Sequence, residues 1–438
     1  MRNIVISIPV GFYARSLLRT GIPDRLLAKD PDLRILLTTP AYQDPAFIEE
    51  FSNHGRVQLH PLYDVKTQHN LWERMLWKSC ILSMKHRPIF LPLMRFNHLC
   101  YRFFSPKRYG SFFDQWHPSL LITASPGFHS QKDIPLIREA QDRGIKTLCA
   151  VFSWDNLTTN GIFPTRPDYL AVWNARMKEE AVGIHHYPPE KVFVVGPTGF
   201  DLYQDKTIYL SRESFCERLG LDPRKKIITL TTAPPSVFDH RYLVELLLRF
   251  VRNHSVVFPA TILCRVHPHD QRDLYREFEK DPLVRLDYPG RFSKFIRWDP
   301  DRAETVHLAN TLKHSDVIVN IASTITIESA LLDTPVINVA FSTDATKQQF
   351  ERQILRNHYG QHFHHILECG GAWNARNEAA LLEAINAYLE DPARDREGRR
   401  RMAEQLCYRL DGQASDRLAA LVHRLAQTPG WPQGREES

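Results

Sequence analysis

No run in these 438 residues approaches the ~20 consecutive apolar residues that a helix needs to span a bilayer, so the reading carries no membrane-crossing helix. The opening MRNIVISIPVG has too short an apolar run for a secretory leader. Cysteine is scarce: the seven residues are scattered, with no CxxC pair and no zinc-ligand spacing. That excludes a disulfide framework and a zinc fold, and suits reduced thiols in a cytoplasmic protein. Low-complexity and collagen-like tracts are missing. Charge of one sign does not dominate: 56 Lys and Arg face 50 Asp and Glu, a net of +6. Such a mild excess suits anionic ligands or an anionic surface. No recognised nucleic-acid motif accompanies it, so no nucleic-acid partner is expected.

What is present is a repeated order of elements. NIVIS, LRILLTT, RVQLHPL, LLITAS, KTLCAVF, DYLAVW and KVFVVG read as strands in the first half. Helical stretches such as ARSLLRTGIPDRLLAK, QKDIPLIREAQDRG and ARMKEEAVGIH lie between them. The pattern starts again with KKIITLTTA, TILCRVH, LVRLDY, DVIVNIA and PVINVAF, separated by HRYLVELLLRFVRN and AETVHLANTLKH. Strands rich in Val, Ile and Leu that alternate with amphipathic helices mean parallel sheets covered on both faces. The expected fold class is therefore α/β, two Rossmann-like, doubly wound domains facing across a cleft. The expected boundaries are 1–200 for an acceptor domain with an insertion at 70–110, 201–400 for a nucleotide-donor domain, and 401–438 for a helical tail. The segment 196–220 has the Gly, Pro and polar content of a crossover linker.

Ligands of open parallel sheets sit beyond the carboxyl ends of the strands. In VIVNIASTITIESALLDTPVINVAF, Ser323 and Thr324 occupy such a strand-to-helix turn. Backbone amides there favour a phosphate, and Glu328, about one helical turn on, reaches a ribose. The same residues also suit plain helix capping. CRVHPHD puts Arg265, His267 and His269 at another strand end. Pro268 stiffens His267, which could bond a phosphate oxygen or protonate a leaving group. A structural histidine is the competing reading, and two histidines alone do not make a metal site. Thr231 and Thr232 follow the first strand of the second half and read as phosphate donors.

These segments resemble the nucleotide-binding domain of GT-B glycosyltransferases. The resemblance rests on RVHPH, HSDVIVNIASTITIESALLDTPVINV and GGAWNARNEAALLEAINAYLEDP, and spans most of residues 115 to 390. DYLAVWNARMKEEAVGIHHYPPEKVFVVGPTGFD is similar to segments of lipid A disaccharide synthases and UDP-N-acetylglucosamine 2-epimerases. The resemblance implies that Ser323 and Thr324 hold phosphate and Glu328 holds ribose. His267 with Pro268 is similar to the HP element of bacterial sialyl- and Kdo-transferases. The chain lacks the acidic motif with glycine that carries the sialyltransferase base, and the TDYSS form of glycerophosphotransferases. The donor implied is a UDP-sugar first and a CMP- or CDP-activated compound second. The partners implied are that nucleotide-sugar and a glycan or lipid-linked acceptor, with no cofactor and no metal.

In the first half, Gly11 and Arg15 follow the first strand, Ser125 and His129 another, and Trp154, Asp155 and Asn156 a third. Gly11, Arg15, Ser125, Trp154 and Asn156 are read as acceptor-binding. Inverting transfer needs a base; Asp155 is favoured over His129, although an Asx turn or a loop histidine explains either. The insertion 70–110 carries eight Lys or Arg residues against Glu73 alone, interleaved with aromatics. Two readings fit it: a helical cover with a solvated basic face, or a peripheral contact with an anionic inner leaflet.

Overall fold

The computed structural model describes residues 2–52, 55–63, 96, 99, 108–125, 132–159, 163, 165–233, 240–342 and 363–427. The chain forms two compact units. The first takes Met1–Asp201, Phe292–Asp299 and Gln413–Ser438; the second takes Leu202–Arg291 and Pro300–Gly412.

The elements of residues 1–201 are β1 (Arg2–Ser7), α1 (Gly11–Leu17), α2 (Ile22–Lys29), β2 (Leu33–Thr39), α3 (Pro45–Phe51), β3 (Val57–Pro61), α4 (Gly110–Trp116), β4 (Leu120–Thr123), α5 (Asp133–Asp142), β5 (Lys146–Ala150), α6 (Asn156–Thr159), β6 (Tyr169–Val172), α7 (Ala175–Gly183) and β7 (Val192–Val194). The sheet is parallel throughout, in the order β3-β2-β1-β4-β5-β6-β7. Its central strands are apolar on both faces because helices cover both. The single helix expected over ARSLLRTGIPDRLLAK is broken in two. Gly21 turns left-handed at φ 74, and Pro23 sits in the first turn of α2.

The second unit contains α8 (Arg212–Leu219), β8 (Lys226–Thr231), α9 (Arg241–Arg252), β9 (Ala260–Arg265) and β10 (Val284–Asp287). After the short hairpin β11 (Phe292–Ser293) and β12 (Arg297–Trp298), it continues with α10 (Arg302–His314), β13 (Val317–Asn320), α11 (Ile325–Leu331), β14 (Val336–Val339), α12 (His364–Glu368), β15 (Trp373–Ala375), α13 (Glu378–Glu390) and α14 (Arg396–Cys407). Its sheet is parallel in the order β10-β9-β8-β13-β14-β15. The stretch 196–220, expected as a linker, holds two 3-10 turns and α8, with Gly220 left-handed at the helix end. The α/β class with two parallel sheets is as expected.

Two later segments complete the first unit. β11 and β12 belong to it, and Ile296 between them is buried in its core. The tail read as one piece over 401–438 divides: α14 stays with the second unit, and α15 (Ala414–Gln427) joins the first. Leu418, Leu421 and Val422 of α15 share a core with Leu26 and Leu27 of α2. The start of α15 is capped from far away. The Asp201 carboxylate accepts Ala414 N at 2.9 Å and Ser415 N at 2.7 Å, satisfying two amides that the helix cannot.

Of the 70–110 insertion, only Phe96, Leu99 and 108–110 are described, and the first two are exposed; the basic, aromatic stretch otherwise lies outside the described residues. Among the described residues no helix is long and apolar enough to cross a membrane. The five described cysteines, Cys149, Cys216, Cys264, Cys369 and Cys407, are buried thiols.

Candidate functional site

In each sheet the strand order reverses once. The reversal lies between β1 and β4 in the first unit and between β8 and β13 in the second. Such switch points leave a crevice beyond the strand ends, where ligands of doubly wound sheets bind. In the second unit the two strands at that position are followed or ended by polar residues: Thr231 ends β8 and Thr232 follows it, and Ser323, Thr324 and Glu328 follow β13.

The turn after β13 is tight. Ala322 takes a positive φ of 24°, a strained backbone for an L residue. Ser323 Oγ accepts the amide of Ile325 at 3.1 Å, and Thr324 O accepts the amide of Glu328 at 3.0 Å. Ser323 thus spends its hydroxyl as an acceptor on its own turn, as the capping alternative anticipated, while keeping its O–H to donate. Glu328 is buried and accepts a hydrogen bond from the Tyr203 phenol. Tyr203 comes from the 3-10 turn Thr198–Gln204. Nothing in the local pattern pairs it with a residue 125 positions on.

At the ends of β8 and β9 the polar side chains mostly serve one another. Thr232 Oγ1 accepts His267 N at 2.7 Å and donates to Asp270 Oδ2 at 3.0 Å. Asp270 also accepts the Tyr275 hydroxyl at 2.6 Å. Thr231 ends β8 as a buried residue. The Arg265 guanidinium is buried and ion-paired to Asp287 and Glu304. Burial alone would lower its pKa, but these two carboxylates outweigh it and hold the charge. The cation expected as a donor ligand is engaged by two carboxylates of its own unit.

His267 is different. Its Nδ1 accepts His269 N at 3.1 Å, which places the ring proton on Nε2. Burial, helped by neighbouring His269, pushes its pKa down to about 4. The imidazole is neutral at pH 7 and presents a donor, so hydrogen-bonding an anionic oxygen suits it better than protonating a leaving group.

In the first unit several expected acceptor contacts are used internally. Gly11 does permit a close approach, but to protein: a Cβ there would stand 2.4 Å from Trp298 O and 2.6 Å from Asp299 Cα. Its amide donates to Ile296 O at 2.9 Å. Ser125 is buried beside the Tyr13 phenol. Asn156 is buried, and its Oδ1 accepts Ser153 N at 3.2 Å. Arg15 is half-buried beside Gly199, and Trp154 is half-buried. Asp155 Oδ1 accepts the Ser153 hydroxyl at 2.6 Å, in the turn that opens α6. Glu180 on α7 is pushed up to about 7, mainly by burial, with Arg176 opposing and Glu179 and Asp155 adding to the rise. His129 lies outside the described residues. Among the described residues no group of His, Cys, Asp and Glu is arranged to hold a metal ion.

The first unit's switch point also holds an acid that the sequence reading passed over. Asp133, first residue of α5, is fully buried, and its Oδ1 accepts the Ser7 hydroxyl. Its Oδ2 has no partner among the described residues. Burial pushes its pKa up to about 7, against smaller opposing effects of Ser7 and Lys132. The nearby Tyr13 phenol and Cys149 thiol are pushed up by burial as well, so both are neutral. The folded protein then keeps a proton from about pH 4 to pH 7 that the unfolded chain releases. Stability from this group is full below about pH 4 and is lost as pH rises towards 7, at up to about 1.4 kcal/mol per pH unit. Asp133→Asn keeps an acceptor for Ser7 and does not titrate. Urea unfolding from pH 5 to pH 8 should show the variant losing less stability than the wild type; equal losses would exclude Asp133 as the source.

Comparison with protein-family models gives no match, and comparison with curated proteins gives none. Solved structures do match over nearly the whole chain. A UDP-GlcNAc 2-epimerase from Neisseria meningitidis with UDP-GlcNAc bound aligns at TM-score 0.57 and 11% identity, covering 97% of this chain and 100% of that one. The Methanocaldococcus jannaschii epimerase in complex with UDP-GlcNAc and UDP aligns at 0.56 and 14%, covering 97% and 100%. The chain has the GT-B fold. A wall teichoic acid polymerase, TagF, soaked with CDPG, aligns at 0.53 and 12%, covering 97% of this chain and 89% of that one. At such identities the likeness is one of GT-B architecture.

Proposed function

We propose that this GT-B chain is a sugar-nucleotide enzyme, and specifically a glycosyltransferase that moves a sugar from a UDP-sugar to a membrane-associated surface-glycan acceptor. The observation that supports the reading is that the adjacent strands at one switch point of the second unit lead into Thr232, which is hydrogen-bonded to His267, and into Ser323, Thr324 and Glu328. The His267 Nε2–H and the Ser323 and Thr324 hydroxyls supply donors for diphosphate oxygens. Glu328, steadied by Tyr203, supplies an acceptor for ribose hydroxyls. Neighbours of the same fold with UDP or UDP-GlcNAc bound support the choice of nucleotide.

The acceptor is assigned to the first unit, with Arg15 and Trp154 as contacts and Asp155 as base. The base takes the acceptor hydroxyl proton, the oxygen attacks the anomeric carbon, and the bond to the diphosphate breaks as UDP leaves. No metal is assigned to the step. A second reading, an isomerase of the 2-epimerase type, draws support from epimerases that align along their full length. The fold also accommodates a cytidine-activated donor, as the TagF neighbour with CDPG illustrates.

Calorimetric titration with UDP, UDP-GlcNAc, CMP and CDP-glycerol tests the nucleotide. UDP compounds should bind, and Ser323→Ala with Glu328→Ala should weaken that binding by at least about tenfold, the equivalent of 1.4 kcal/mol. Unchanged affinity in the double variant would remove the site from this turn. Incubation of UDP-GlcNAc without acceptor separates the readings: slow UDP release favours the transferase, and an epimerised sugar nucleotide favours the isomerase.

A further inference from the structure

Beneath the turn after β13 runs a line of amides that a stable core does not need. Asn320 on β13 is in register with Asn338 on β14, and Asn338 with Asn374 on β15. Asn320 and Asn338 are buried, and so is Thr326 on α11. Thr326 Oγ1 accepts Asn320 Nδ2 at 3.2 Å and donates to Asn338 Oδ1 at 2.9 Å. One hydroxyl therefore joins the two strands to the helix, and its single proton sets the direction of both bonds. The remaining atoms, Asn320 Oδ1 and Asn338 Nδ2, have no partner among the described residues.

Such a network adds little net stability. Buried amides contribute only modestly when bonded and are costly where they are not, so aliphatic side chains would serve a sheet core better. What the network does supply is position. It grips the chain just before and just after Ala322, whose positive φ marks the turn as strained. Asn320 holds the entry and Thr326 the exit, with Ser323 and Thr324 between them. Glu328, two residues beyond Thr326, is then fixed at its tip by Tyr203.

We propose that Thr326 is a positioning residue for nucleotide binding, locking the turn and α11 to β13 and β14 so that Ser323, Thr324 and Glu328 meet the ligand without reordering. This rests on the assignment of the nucleotide to that turn. Pre-ordered groups bind more tightly because the ordering is not charged against the complex.

The test compares wild type, Thr326→Val, Thr326→Ser and Asn338→Leu by calorimetric titration with UDP at 10 °C, alongside thermal unfolding. Valine matches the shape of threonine but removes both bonds. UDP affinity should fall about tenfold in Thr326→Val, the scale of one or two neutral hydrogen bonds. It should stay within about twofold of wild type in Thr326→Ser, which keeps the hydroxyl. Should the valine variant fail to fold, Asn338→Leu carries the comparison, with a smaller loss in the same direction. A lower melting temperature with unchanged UDP affinity in the folded variants means a purely structural network and overturns the inference. Wild-type protein that binds no nucleotide at all overturns the assignment of the site, and the inference with it.

Discussion

Gly398→Ala should destabilise the protein by about 3 kcal/mol or more, at the top of the range for overpacking. The reason is a backbone crossing in the second unit. A Cβ on Gly398 would stand 1.9 Å from Gly370 O, 2.2 Å from Gly370 C and 2.5 Å from Gly371 N. From the other side, a Cβ on Gly371 would meet Gly398 C and Arg399 N at 2.5 Å. All of these are main-chain atoms with no rotamer to yield. Arg399 locks the same crossing. It is 1% exposed, with Nε on Asp333 Oδ1 at 2.9 Å and two further donors on Pro392 O and Arg394 O. Since α14 packs on α11, the variant should also disturb the helix that bears Glu328. Gly183→Ala, where nothing lies within 4 Å of the added atom, is the control and should be near neutral. Urea unfolding of the two variants decides it. A Gly398→Ala protein within 1 kcal/mol of wild type would mean, on the overpacking scale, that the crossing relaxes without strain.

The second large effect is expected at Arg19→Met, a loss of about 3–5 kcal/mol. Asp299 is 0% exposed and is held by Arg19 through contacts of 2.5 and 3.2 Å. Arg19 also grips Glu50 at 2.7 and 2.8 Å. Burial would lower the arginine pKa, but Glu50 and Asp299 raise it overall, so the guanidinium keeps its charge. Methionine fills the space of the arginine stem and removes the guanidinium that bonds the buried Asp299 carboxylate. Adding Asp299→Asn should recover much of the loss at pH 7, because the neutral amide does not need the cation. A deficit that Asp299→Asn leaves unchanged would point to packing instead.

The two sheets were legible because each buried strand declares itself locally. LRILLTT is β2 residue for residue, and the other long strands agree within a few positions. What escaped was short or polar: β15 is only Trp373–Ala375, and the hairpin β11–β12 has two residues per strand. The hydroxyl knot after β13 was visible because it interrupts apolar sequence. Its partners were not. Tyr203, which bonds Glu328, lies in a stretch that reads as linker. Arg265 stood out as a cation at a strand end, yet Asp287 and Glu304, which occupy it, give no sign in the primary structure. Gly11 announced a close approach without revealing that Trp298 makes it. Periodicity reports which face is covered; it does not report which distant side chain arrives there.

The return of α15 to the first unit sets an order of events during synthesis. The last residue of the first long segment is Asp201, and its capping partners Ala414 and Ser415 emerge only after the whole second unit. At roughly 5–20 residues per second, that wait is on the order of 10–40 s. Leu26 and Leu27 lack the cover of α15 throughout, so the part of the protein that starts first is finished last. A nascent chain held with residues up to Gly412 outside the ribosome and α15 still inside should therefore bind chaperones through its amino-terminal half while its second unit is already compact.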